Sequence, residues 1–523
     1  MKKKSFTLLL SALLTMSMLA ACGNNNNGGN AAEATKEPAA NSGTDTAATE
    51  KPAESAEPAK PTEIKIMLPL NISETPPDTI KTEVEKLTNT KLTYQFFPAD
   101  TYEEKLNSSF ATGSLPQVTY LKNQTTFVQM KEAIKDGQFW EIGPYLTEFP
   151  NLNKLKPEIL NNTKVDGKLY TLYIGRPLAR QGIIYRKDWA DKLGLKAPAN
   201  VDELFAMAKA FTEQDPDGNG KKDTIGIVDR NELTYGAFKT VSSWFETPNN
   251  WGEKDGQLQP EFTFPQYIDT MEFFKKLREG GYMNQDFAAT SKTDAVNMFT
   301  SGKAGLYIGG SMQDIDSLNK DLIKNVPDAV LDTHSMVASP NGKFAQWMIP
   351  GYNNVVLFPK SAVKDEAELK SILAFFDKMM TPEVANLMYW GIEGTHYTVE
   401  DGKAKASDNK ELTEREVKGY KDSVIGEYET NGMYQAYNVL PGRIHAEELV
   451  LENVKVGVAD PTAALDSETY TTKGVELQQI ITDATYNYIY GQLDKAGFEK
   501  EVENWKSRGG DKIIEEYNAA YKK

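Results

Sequence analysis

From Asp215 the chain reads Asp-Pro-Asp-Gly-Asn-Gly-Lys-Lys-Asp, so oxygen side chains fall at relative positions 1, 3, 5 and 9. Glycine stands at position 6, where a loop that wraps a hard cation needs its sharp turn. Alternate residues can point inward, and Ca²⁺ takes six to eight converging oxygens. Asp215, Asp217, Asn219 and Asp223 would give side-chain ligands and Lys221 its backbone carbonyl. Position 12 is Gly226, so the usual bidentate glutamate is missing. Asp223 binding through both oxygens, a remote residue or water would have to complete the shell. Without metal, the same residues make an acidic turn between a helix and a strand. Such a loop outside the cell, where calcium is abundant, stiffens structure rather than senses.

The second reactive residue is Cys22, the one cysteine of the 523-residue chain. It follows Leu19-Ala20-Ala21, behind Lys2, Lys3, Lys4 and an apolar run from Phe6 to Ala21. The run is too short for a comfortable membrane span and suits a cleaved leader. The pattern resembles a bacterial lipoprotein signal, with 1–21 removed and Cys22 taking a diacylglyceryl group whose two acyl chains include ones such as palmitate. An ordinary secretory signal is the other reading. Two or more chains hold far better than one. Residues 23–62 contain no aromatic or large aliphatic side chain. They cannot bury enough area to offset ordering, so a disordered tether is expected, reaching roughly 35 Å. The expected location is the outer face of the cytoplasmic membrane.

A body starting at Glu63 is long enough for two or more domains with substantial cores. With Cys22 acylated no disulfide is available, so the cores must carry stability. The net charge is −16 before the lysine-bearing leader is removed. That argues against nucleic acid or an anionic membrane surface as a direct partner.

Short β-branched runs alternate with helical periods, which reads as α/β. Helices are expected at Pro77–Thr88, Val201–Glu213, Tyr267–Glu279, Lys364–Met380 and Tyr470–Leu493, and strands at Lys91–Phe97, Ile225–Val228 and Val355–Phe358. Asn200 with Glu203 three residues later forms a capping-box signature ahead of Val201, Leu204, Phe205, Ala208 and Phe211 on one face.

Several segments together resemble the extracellular solute-binding lipoproteins of bacterial ABC importers, in their large carbohydrate-binding group. They are Thr112-Gly113-Ser114-Leu115-Pro116-Gln117-Val118, Val165-Asp166-Gly167-Lys168-Leu169-Tyr170 and Ile184-Tyr185-Arg186-Lys187-Asp188-Trp189. Leu193-Gly194-Leu195, the 215–226 loop, Gly391-Ile392-Glu393-Gly394-Thr395-His396-Tyr397 and the Gly509–Asn518 run continue the series. The resemblance implies a periplasmic-binding-protein-like fold: two α/β lobes, a multi-strand hinge, and ligand between the lobes. Lobe 1 would combine 63–180 with 346–395, and lobe 2 would combine 181–345 with 396–523. It also implies calcium at the loop, as in alginate-oligosaccharide binders, a membrane permease as partner, and a monomer. Gln117, where the family has aspartate, and Leu172-Tyr173, in place of a Gly-Leu-Pro run, depart from the pattern at positions expected near the cleft.

Sugar sites pair aromatic platforms for C–H faces with a few fixed polar groups. Trp244, Trp251, Trp347, Tyr352 and Trp390 fall in expected loops, each with core packing as its alternative. Arg176, Glu393 and His396 are candidate hydroxyl or carboxylate partners. There is no Gly-x-Ser-x-Gly elbow, His-Glu-x-x-His or phosphate loop, and His334, His396 and His445 are scattered. Binding rather than catalysis is therefore expected. A secreted glycoside hydrolase with two cleft carboxylates and a peptide-binding lipoprotein are the rival readings.

Overall fold

Thr62–Leu70 opens the fold as strand β1, and its last five residues are all buried. A strand covered on both faces must be central in its sheet. It pairs in parallel with β2 (Thr90–Pro98) on one side and β3 (Val118–Leu121) on the other. A computed structural model of the chain describes residues 60–522, so Cys22, the leader and most of the tether lie outside the described residues.

Two sheets organise this body. The first runs β2-β1-β3-β12-β4, with β4 at Leu172–Gly175 and β12 at Tyr352–Leu357. The second runs β10-β5-β9-β6, formed by Gln181–Arg186 (β5), Ile225–Val228 (β6), Ala304–Ser311 (β9) and Leu331–His334 (β10). Between β6 and β9 lies the hairpin of β7 (Trp251–Lys254) and β8 (Gln257–Pro260). A short β11 (Gln346–Trp347) pairs with β15 (Gly457–Val458), and β13 (Tyr397–Glu400) pairs with β14 (Lys403–Ala406).

Each sheet has its own hydrophobic core. The first gathers Ile64, Leu68, Val118, Tyr120, Val356 and Phe376 among others; the second gathers Ile183, Trp189, Phe211, Ile227, Phe274 and Leu306. The C-terminal helices Glu468–Ile489, Lys495–Trp505 and Asp511–Tyr521 close the second core through Leu477, Ile481, Phe498, Trp505 and Ile513. Among the described residues, no helix is long and apolar enough to cross a membrane.

Helix boundaries follow local caps. Val201–Glu213 starts where expected because Asn200 accepts from the Glu203 N–H at 2.9 Å. The helix expected at Lys364–Met380 is Glu366–Met379, since Asp365 caps it. The one expected at Tyr470–Leu493 begins at Glu468, capped by Ser467, and ends at Ile489.

The expected lobe boundaries shift in two places. Val417, Tyr420, Val424 and Ile425 pack into the first core, although residues from 396 onward were assigned to the second lobe. Tyr420 and Tyr120 bind this segment down, through Tyr420 OH to the Pro77 carbonyl at 3.0 Å and Tyr120 OH to the Ser423 carbonyl at 2.8 Å. Conversely Gln346 and Trp347 bond to Trp244 and Thr240 of the second lobe, so the chain crosses after them and not before.

Candidate ligand cleft and calcium loop

The chain passes between the sheets three times: at 176–180, at 348–351 and at 432–440. These crossings are tied to one another by backbone. The Arg176 N–H donates to the Gly351 carbonyl at 2.8 Å, and Ile349 N–H to the Leu178 carbonyl at 2.8 Å. Gly426 and Gly175 join β4 to the last segment before the third crossing, at 2.9 Å. Gly351 has φ 85°, and a Cβ there would sit 2.7 Å from the Leu178 side chain, so glycine alone allows the close approach. Asn453 braces the first crossing from behind: its Nδ2 donates to the carbonyls of Ala179 and Gln181 at 3.0 and 3.1 Å.

In an open α/β sheet, ligands sit beyond the carboxyl ends of the parallel strands. For the first sheet that edge carries Asn71, which donates to Asp422 at 2.7 Å. For the second it carries Asp229, Arg230 and the turn to Tyr235. Asp229 is wholly buried, which pushes its carboxyl up to about 6 against the pull of the Ala237 and Arg230 N–H groups. Those bonds fix the turn that presents Tyr235, 37 % exposed.

Trp347 is only 4 % exposed; its indole N–H donates to Thr240 Oγ1 at 3.1 Å and its ring lies 5.8 Å from Tyr235. It backs the exposed tyrosine rather than presenting its own face. Trp390 is half-buried, donates to the Tyr434 carbonyl at 2.9 Å and stands 5.1 Å from Tyr389. Lys421 lies 3.9 Å over the Tyr389 ring and 5.5 Å over Trp390. Trp390 and Tyr389 thus form a half-buried ring pair, joined through Tyr397 to the Tyr434 ring at 6.4 and 6.3 Å.

The other aromatics expected at a site are packed inside. Trp244 and Trp251 belong to the second core, with Trp251 edge-on to Tyr517 at 5.0 Å, and Tyr352 belongs to the first, edge-on to Phe127. His396 is buried: Nδ1 accepts from the Ile392 N–H at 3.0 Å and Nε2 lies 3.4 Å from Glu416. It braces the Gly391–His396 turn, while neighbouring Glu393 is exposed. Arg176 is exposed at the first crossing. The surrounding crowding lowers its pKa, as does repulsion from Arg180, while Tyr235 and Asp422 pull the other way. Arg180, Tyr235, Tyr389, Tyr434 and Lys421 were not singled out from sequence. Only Arg180 had a readable signal, as the second of two arginines in Gly175-Arg176-Pro177-Leu178-Ala179-Arg180.

Gln117 and Leu172-Tyr173 lie away from this region. Gln117 accepts from the Lys65 N–H at 2.8 Å and donates to Glu368 at 2.7 Å. It lines a cavity of about 570 Å³ at the amino ends of the first sheet's strands. Leu172 and Tyr173 are buried in the first core. A second cavity, about 730 Å³, lies by the β7–β8 hairpin and the Lys495–Trp505 helix. Neither cavity touches the crossings.

In the 215–223 loop Asn219 sits at the centre. Its N–H donates to Asp215 at 3.1 Å, and its Nδ2 donates to Asp217 at 2.7 Å and Asp223 at 3.1 Å. Gly220 N–H adds a 3.1 Å bond to Asp215. Burial raises the Asp215 pKa, but the Gly220, Asp217 and Asn219 bonds outweigh it and leave it lowered. Burial raises that of Asp217, helped by its neighbours Asp215 and Asp223. Among the described residues, no three carboxylates, histidines or cysteines cluster closely enough to hold a metal by themselves. The donor chemistry is still that of a hard-cation loop: Asp215, Asp217 and Asp223 all accept bonds from Asn219 or Gly220, and rotating the Asn219 amide would offer its oxygen in place of its Nδ2.

Residues 71–386 match the family described as bacterial extracellular solute-binding protein. The chain belongs to that family. This solute-binding protein is 44 % identical over 450 residues to the polygalacturonan/rhamnogalacturonan-binding protein YtcQ of Bacillus subtilis, covering 86 % of this chain and 89 % of that one. It is 33 % identical over 479 residues to lipoprotein LipO of the same organism, covering 88 % and 92 %. Its fold matches an HMO-binding, ABC-transporter-associated solute-binding protein from Bifidobacterium longum infantis with TM-score 0.68 at 18 % identity, covering 88 % of this chain and 98 % of that one. The two-lobed α/β fold with a multi-strand hinge is therefore that of the family, and YtcQ and the Bifidobacterium protein are both named as binding proteins.

Proposed function

We propose that this solute-binding protein captures an oligosaccharide between its lobes and delivers it to the membrane permease of an ABC importer. The reading is supported by the family match together with the half-buried ring pair Trp390–Tyr389, 5.1 Å apart, and Tyr235, 37 % exposed beyond the end of β6. Sugar C–H faces pack on such rings, and closing the lobes would cover both sides of the ligand. The names of YtcQ and the Bifidobacterium protein support a carbohydrate. The protein acts at the outer face of the membrane, held by acylated Cys22, and as a monomer.

A thermal-shift screen against oligosaccharides and peptides tests this. A sugar at 100 times its Kd should add about 2.7 kcal/mol of stability. Recovery of the sugar intact after incubation supports a binder; shortened products would identify a hydrolase, and stabilisation by peptides alone would move the ligand class.

Calcium held by Asp215, Asp217, Asn219, Asp223 and the Lys221 carbonyl would tie the Val201–Glu213 helix to β6. Added calcium should raise the melting temperature, and Asp215→Ala with Asp217→Ala should abolish the increment. Dialysed wild-type protein free of calcium by elemental analysis, with no response to its addition, would refute the site.

A further inference from the structure

The chain has eight arginines, all among the described residues. Five hold a carboxylate within ion-pair distance: Arg186 with Asp188, Arg230 with Glu232, Arg415 with Glu416, Arg443 with Glu447 and Asp316, and Arg508 with Glu476. Arg278 stacks on Tyr490 at 4.3 Å. The remaining two, Arg176 and Arg180, stand on the same crossing between the lobes.

Neither side chain makes a hydrogen bond or ion pair with another described residue, and the Arg180 Nε is buried with no acceptor. Their backbones, by contrast, are held. Arg176 N–H donates to Gly351, and the Arg180 carbonyl accepts from the Met312 N–H at 2.9 Å. Asp422, the acid that attracts Arg176, is already engaged by Asn71. In a protein with 74 acidic against 58 basic residues, Arg176 and Arg180 repel one another and neither has a carboxylate within ion-pair distance, so an anionic ligand would complete them. A guanidinium presents a planar fork of donors that matches a carboxylate in two parallel bonds. Tyr235, close enough to Arg176 to act on its charge, offers a ring for the sugar that would bear the carboxylate.

We propose that Arg176 and Arg180 receive the carboxylate of a hexuronate, so that the captured oligosaccharide contains uronic acid units. This rests on the oligosaccharide reading above and narrows it to acidic sugars.

Calorimetric titration of wild type, Arg176→Gln, Arg180→Gln and the double variant with three probes tests it. The probes are galacturonate oligomers, the same oligomers as methyl esters, and neutral galactose oligomers. Wild type should prefer the acid over its ester, and the double variant should lose about ten- to 100-fold in affinity for the acid while the ester binds unchanged. Melting temperatures should stay within a degree or so, since neither side chain bonds to the protein. Equal binding of acid and ester by wild type, retention of the preference by the double variant, or binding of neutral sugars alone would overturn the carboxylate receptor and leave the oligosaccharide reading standing. Stabilisation by peptides with no response to any sugar would overturn both.

Discussion

Trp347→Ala is expected to cost about 3–5 kcal/mol of unfolding free energy, the range for truncating a large buried aromatic. The ring is 4 % exposed, and its loss would leave the buried Thr240 hydroxyl without its indole donor. It would also remove the backing of Tyr235. Urea or thermal unfolding should therefore show the larger change, with ligand affinity falling secondarily. The contrast is Trp390→Ala, where a half-buried ring beside the third crossing should change melting little and weaken sugar binding by about 1–3 kcal/mol. Unfolding curves and calorimetry on both variants separate the two roles. A Trp347→Ala protein that melts normally but no longer binds sugar would put that ring in the cleft after all.

Cys22→Ala should move the protein from the membrane fraction to the medium. Each buried methylene of an acyl chain contributes about 0.8 kcal/mol, so losing two or more chains removes essentially all of the anchoring. Among the described residues, no helix is long and apolar enough to cross a membrane. Metabolic labelling with a fatty acid is the check: label retained by the variant would show that the modified residue is elsewhere.

How much of this could be read from the sequence depended on whether the signal was local. The Val201–Glu213 helix was legible to the residue, since its cap and apolar spacing lie within the segment itself. Ile225–Val228 was legible because a glycine- and aspartate-rich loop marks its start. The side of the molecule on which a residue lies was not. Trp347 belongs to a two-residue strand whose partner, Val458, is more than a hundred positions away, and no periodicity reveals that pairing. His396 looked like a ligand because histidine in a glycine-rich loop usually is exposed; the Ile392 N–H turned its ring inward. That Arg176 and Arg180 both lack an ion-pair partner could be seen only in the structure, where the other arginines pair with carboxylates or stack.

The interleaving of the two cores has a consequence for how the chain reaches its final state. β12, near residue 355, lies between β3 and β4 of the first sheet, and the second core joins Ile183 to Leu477 and Tyr517. Neither lobe can finish its core from one contiguous stretch: the first needs residues out to Ile425 and the second out to Tyr517. Such long-range closure makes folding slow and exposes apolar strands in the interval. For a chain threaded unfolded through a membrane this order costs little, because all its segments emerge before either core must close. The same delay would leave a pool of unfinished molecules at the cell surface, open to proteases and dependent on whatever foldases work there.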